Sequence, residues 1–134
     1  MVASWLTDVA GSSAYFLLSA VTYANQAKQD MLGVSRKTLE THGAVHEETA
    51  REMAEGARRV AGSTFGLSTS GIAGPDGGTK DKPVGTVCVG FAGPDRSYGR
   101  RFFFPFGKRL MNKKIFAMAA LDVLRKELKQ IREQ

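Results

Sequence analysis

Residues 84–104 read as a β-hairpin. Val87, Val89 and Phe91 alternate with smaller residues and share one face, Gly93-Pro94-Asp95 makes a turn, and Arg96 to Phe104 returns as the second strand. A two-stranded hairpin is marginal in water and needs further layers to cover it. Two helical patterns flank it and can supply them. Residues 45–61 place Ala50, Met53, Ala54 and Ala57 on one small-residue face and end at Gly62. Residues 109–132 carry Ile115, Met118, Leu121, Leu124, Leu128 and Ile131, which the spacing predicts to point inward. The expected fold class is therefore α/β: a layered α/β/α domain around a mixed sheet, in which 134 residues bury one core.

The first half of the chain adds shorter elements. Val2, Trp5, Leu6 and Val9 predict a helix with Gly11 as its stop, beginning at residue 1 with nothing before it to cap it. Phe16 to Tyr23, rich in apolar and β-forming residues, reads as a buried strand. Asn25 to Leu32 reads as a helix ending at Gly33, and Thr38 as the cap of a short turn before Gly43. Thr64 to Ser70 reads as a strand that runs into a loop over 71–81.

Composition removes several classes. Hydrophobic residues at 43% and charged residues at 24% exclude a disordered chain, a collagen and a coiled-coil rod. No run of about 18 apolar residues predicts a transmembrane helix. The segment Met1 to Asp8 has no basic start of the kind that opens a signal peptide, so the cytoplasm is the default expectation. One cysteine, Cys88, excludes an internal disulfide and a cysteine-based zinc site. His42, read as a loop residue, and His46, read near a helix N-cap, are too few for a histidine metal site.

Charge is uneven. Residues 96–134 hold eleven Lys/Arg against three acids, a balance of +8, whereas residues 1–95 balance at −2. A basic C-terminal third favours an anionic partner, although Arg125, Lys126, Lys129 and Arg132 themselves read as a solvated helix face. Nucleic acid is the weaker option, since only Tyr98 and Arg100–Phe104 mix aromatic and basic residues.

Three segments can carry chemistry. The glycine-dense stretch Ser70 to Gly78 follows a strand, so its backbone N–H groups can line an anion or sugar site. It lacks the Gly-Lys-Ser/Thr of a P-loop and the G-x-G-x-x-G of a dinucleotide fold, and a plain surface loop is the alternative. Tyr23 closes the expected strand and Lys28 lies one turn into the next helix. Desolvated there, Lys28 could act as a general base with Tyr23 positioning it; otherwise it is a solvated helix lysine. Gly107-Lys108-Arg109 opens the last helix. Basic charge at that end opposes the helix dipole, which favours a bound anion as its reason.

Read together, LTDVAGSSAYF (6–16), VTYANQAK (21–28), LGV (32–34), HGAVHEETAREMAEGAR (42–58), SGIAGPDGGTKDKPVGTV (70–87) and FGKR (106–109) resemble the CinA C-terminal domain family. The resemblance runs in order over almost the whole chain. It implies an α/β domain, usually oligomeric, that hydrolyses the amide of nicotinamide mononucleotide to the acid and ammonia without metal or cofactor. It implies catalytic roles for Tyr23 and Lys28 beside a serine. Substrate contacts fall to Ser13, Asn25, Ser70, Gly71, Ile72, Ala73 and Gly74, with Arg109 on the phosphate. It implies no membrane.

The chain departs from the family pattern at its start. The Glu-Ser-Cys-Thr-Gly-Gly motif that carries the family's serine does not occur in these 134 residues, and the helix and strand around it are expected to be missing. Lys108 replaces the Asp of Gly-Asp-Arg, His46 a capping Ser and Ala24 a Ser; Ser12 and Ser13 match a later Gly-Ser pattern. Two expectations follow: an amidohydrolase domain that is inactive in this form, or a non-catalytic nucleotide-binding or oligomerising remnant.

Overall fold

Ser68, Gly90 and Gly99 sit side by side across three strands, and this row of small residues determines how the first layer packs. The structure is a computed structural model and describes residues 1–133. Its sheet has the order β1 (Gly66–Gly71), β2 (Thr86–Ala92), β3 (Ser97–Phe103). Helix α4 (Glu47–Ala61) lies so close to one face that a Cβ at Gly90 would stand 1.9 Å from the Ala50 carbonyl oxygen, and one at Gly99 2.0 Å from that of Glu47. The Ser68 hydroxyl donates to the Ala50 carbonyl at 2.6 Å. Ala50 and Ala54 are fully buried against the sheet.

The opposite face carries the main apolar core. Val87, Val89 and Phe91 of β2 meet Phe116, Ala120 and Val123 of α5 (Arg109–Arg132). Each large side chain buried there contributes on the order of 1.5–3 kcal/mol. Helix α1 (Val2–Thr7) packs its Val2 on that core. A smaller cluster joins Leu32 of α2 (Asn25–Leu32), Val34 and Leu39 of α3 (Arg36–His42) to Met53 of α4. The α/β/α layering is as expected.

Several local expectations are corrected. The sheet is antiparallel throughout, not mixed, because Phe16 to Tyr23 does not join it. That segment is extended, but residues 17–23 make no backbone–backbone hydrogen bond among the described residues, and Leu17, Val21 and Tyr23 are exposed. A strand is stabilised by its neighbours, and no neighbour lies beside this one. The first helix ends at Thr7, whose hydroxyl turns back to the Ala3 carbonyl at 2.8 Å; Gly11 (φ 87°) instead opens a 3-10 turn, Ser12–Ala14. Ser35, not Thr38, caps α3, its hydroxyl accepting from the Thr38 N–H at 3.0 Å. His42 closes that helix and is not a loop residue.

The inward face of α5 is also different. Asn112, Phe116, Ala120, Val123 and Glu127 are buried, whereas Met118, Leu128 and Ile131 are exposed. The helix is apolar on two faces, and the larger side chains mark the outer one. The buried face includes Glu127, whose carboxylate accepts from Tyr98 Oη at 2.7 Å and pairs with Arg96. Burial, and then the bond to Glu127, push the Tyr98 phenol up to about 12.

Candidate functional site

Lys28 is only 5% exposed, although it sits in a short and otherwise polar helix. Its Nζ donates to the Thr22 carbonyl at 2.7 Å and to the Tyr23 carbonyl at 3.4 Å. Among the described residues no carboxylate pairs with it. Desolvation by burial therefore lowers its pKa below the ordinary lysine value, which makes the neutral amine more accessible. The Tyr23 side chain points elsewhere: it is 83% exposed, and its hydroxyl has no partner among the described residues. Tyr23 meets Lys28 through its backbone only.

The glycine loop and the start of α5 form a second cluster. Arg109, the first residue of the helix, donates from Nη1 to the Gly74 carbonyl at 2.8 Å. Asn112, one turn on, donates from Nδ2 to the Ala73 carbonyl at 3.0 Å. One turn further, Phe116 lies under the loop, where a Cβ at Gly71 would stand 2.7 Å from its ring. Residues 109, 112 and 116 share a helix face, so a single ridge grips Gly71, Ala73 and Gly74. Gly74 adopts φ +85°, and a Cβ there would come 2.5 Å from Val84 Cγ1, so both conformation and space require glycine. The Ile72 N–H is engaged by the Thr86 carbonyl at 2.9 Å. Lys108 precedes the helix without a side-chain cap, so the N–H groups of the first turn stay available.

The other expected residues are scattered. The Ser70 hydroxyl donates to the Ala44 carbonyl at 2.7 Å and so ties β1 to the approach to α4. Ser13 is exposed in the 3-10 turn, and Asn25 is exposed at the first position of α2. Among the described residues no hydrogen bond or ion pair joins the Lys28 cluster to the Arg109 cluster.

Asn112 escaped the sequence reading. It is fully buried, and its Oδ1 is the one buried side-chain atom among the described residues with no partner. A polar residue one turn after Arg109 on an apolar helix face was the available signal. His46 does cap α4, its Nδ1 accepting from the Glu48 N–H at 3.0 Å while its ring stacks on His42 at 3.9 Å. Burial, and after it the His42 ring, hold the His46 pKa below the usual histidine value. Cys88 is buried beside Glu47, and desolvation raises its thiol to about 11, which leaves it protonated and unreactive at neutral pH.

An α/β/α domain in which one long helix holds a glycine loop at its N-terminus, with a buried lysine on a separate helix, defines the class. The chain belongs to the CinA C-terminal domain family, whose model matches residues 1–128. It is 64% identical over 128 residues to a CinA-like protein of Desulfosudis oleivorans, covering 96% of this chain and 31% of that one. It is 48% identical over 128 residues to a putative competence-damage inducible protein of Thermoanaerobacter pseudethanolicus, again covering 96% and 31%. The chain thus spans about a third of the curated relatives it matches. Among solved structures it is similar to the competence/damage inducible protein CihA of Agrobacterium tumefaciens, with a TM-score of 0.89 and 38% identity, covering 93% of this chain and 76% of that one. The competence damage-inducible protein A of Klebsiella pneumoniae gives 0.89 and 30%, covering 96% and 79%. No helix among the described residues is long and apolar enough to cross a membrane.

Proposed function

We propose that this domain binds nicotinamide mononucleotide and belongs to the machinery that hydrolyses its amide to nicotinate mononucleotide and ammonia. The observation that carries the binding half is the grip of α5 on the glycine loop. With the Ala73 and Gly74 carbonyls held by Asn112 and Arg109, the cationic helix start and the loop form one fixed surface for a phosphate. Arg109 spends one nitrogen on Gly74 and keeps its remaining donors for the anion.

Lys28 supports the chemical half. A serine attacking the amide carbonyl must lose its proton, and a desolvated amine can take it and pass it to the departing ammonia. Water then releases the acid from the acyl-enzyme. The family's serine motif is absent from the 134 residues, so the proposal assigns this chain binding without turnover. The same observation favours the second reading, a non-catalytic nucleotide-binding or oligomerising domain that keeps the loop and Lys28.

Ammonia release from nicotinamide mononucleotide by the purified chain tests the assignment. The expected rate is that of buffer alone. Clear turnover that is lost in Ser13→Ala would place the nucleophile inside this sequence and overturn it.

A further inference from the structure

Strand β3 forms one edge of the sheet. It pairs only with β2, and beyond that ladder no hydrogen bond among the described residues reaches the backbone of 97–103. Arg96, just before the strand, and Tyr98, Arg100 and Phe102 along it alternate and share the face that meets α5. Each guanidinium lies over the next ring: Arg96 is 5.4 Å from the Tyr98 centroid, and Arg100 is 5.0 Å from that of Phe102. Between this row and the second half of α5 runs a groove of about 340 Å³, with buried Val123 at its base and Lys126 and Gln130 on its α5 side.

The groove carries more positive charge than its own carboxylates pair. Glu127 is taken by Arg96 and the Tyr98 hydroxyl. Asp122 serves both Arg125, at 2.8 Å, and Lys126, at 2.9 Å. Arg100 is exposed and has no carboxylate partner among the described residues. A second copy is a poor occupant, because pairing this edge with itself brings Arg100 and Arg101 against like charges. Stacked bases fit poorly as well, since the Tyr98 and Phe102 rings are covered by the guanidiniums and packed against the core. We propose that the occupant is an extended acidic segment of a partner protein. It adds to the β3 edge as a further strand, and its alternate carboxylates reach Arg100 and Lys126. Side chains at alternate positions of an added strand share one face, as the cations of the β3 row do. This surface is separate from the Arg109 cluster at the start of α5 and does not rest on the proposed nucleotide chemistry.

The probe is a synthetic peptide of alternating Glu and Thr, compared with an alternating Gln and Thr peptide and with an oligothymidylate. Each is titrated into the full chain while its backbone amide resonances are followed. The Glu peptide is expected to shift amides of 97–103 and 123–130, to slow exchange along β3, and to bind about tenfold or more tighter than the Gln peptide. Arg100→Glu changes an exposed side chain and should weaken that binding about tenfold or more, because like charges then meet. Far-UV circular dichroism verifies the fold of the variant. Arg100→Gln, with a smaller loss in the same direction, serves if the charge reversal unfolds the chain. Absence of saturable binding overturns the proposal, as do equal binding of the Gln peptide, shifts that map elsewhere, or an affinity unchanged in the Arg100 variants. Oligothymidylate that binds this groove more tightly than the Glu peptide also overturns it, because the occupant would then be nucleic acid.

Discussion

Arg109 Nη1 donates to the Gly74 carbonyl at 2.8 Å, which fixes the first residue of α5 against a loop 35 positions earlier. Arg109 therefore holds the loop, and under the proposed function it also faces the phosphate. Arg109→Ala should weaken binding of nicotinamide mononucleotide about tenfold or more, since charge-assisted bonds to phosphate contribute roughly 1.5–3 kcal/mol each. The phosphate-free riboside should lose much less. Lys108 can supply part of the missing charge, so the double change should exceed the single one. Titration calorimetry on both ligands separates the two roles.

Lys28 should make stability depend on alkaline pH. Its folded pKa lies below the unfolded value of 10.5, so burial of the charge is a penalty at neutral pH that disappears as pH rises through the folded value towards 10.5. Urea midpoints of the wild type and Lys28→Met should therefore shift in favour of the wild type between neutral pH and pH 10.5. A difference that stays constant over that window would mean that Lys28 titrates as an ordinary solvated lysine.

His46 gives the opposite end of the scale. Its folded pKa is lowered from 6.5, so the stability it contributes is complete above that value and is lost as pH falls through the folded one. A proton on Nδ1 removes the acceptor for the Glu48 N–H. His46→Ala should cost about 1 kcal/mol at neutral pH and progressively less in acid. His46→Asn should keep the cap and lose its pH dependence. Denaturation midpoints at matched pH values measure both.

Gly90→Ala tests the packing of α4 on the sheet. A methyl group placed 1.9 Å from the Ala50 carbonyl oxygen forces the helix away from all three strands, and a loss of about 3 kcal/mol is expected. Gly62→Ala is the control: it meets nothing within 4 Å and pays only for its positive φ, about 1 kcal/mol. Equal effects at the two positions would contradict the close approach.

The elements that were legible in the sequence are those whose signals are local. Gly33 and Gly62 end α2 and α4 as expected, and alternation at Val87, Val89 and Phe91 identifies the central strand. Phe16 to Tyr23 has strand composition, but pairing depends on a neighbour, which composition does not encode. The inward face of α5 was misread because Ala120 and Glu127 are buried while Met118 and Leu128 are not; size and hydrophobicity mark both faces of that helix. At the candidate site, motif and charge single out Arg109 and the glycine loop, which the structure joins through the bond from Arg109 to the Gly74 carbonyl. They do not single out Asn112, since its role depends on a carbonyl 39 residues away.

Calorimetric titration of the purified chain with nicotinamide mononucleotide and, in parallel, with its riboside is the most direct test of the proposed function. The account predicts saturable binding of the nucleotide, about tenfold or more tighter than the riboside, with the preference reduced in Arg109→Ala and reduced further when Lys108 is changed as well. Absence of nucleotide binding, or equal affinity for the two ligands, would contradict it.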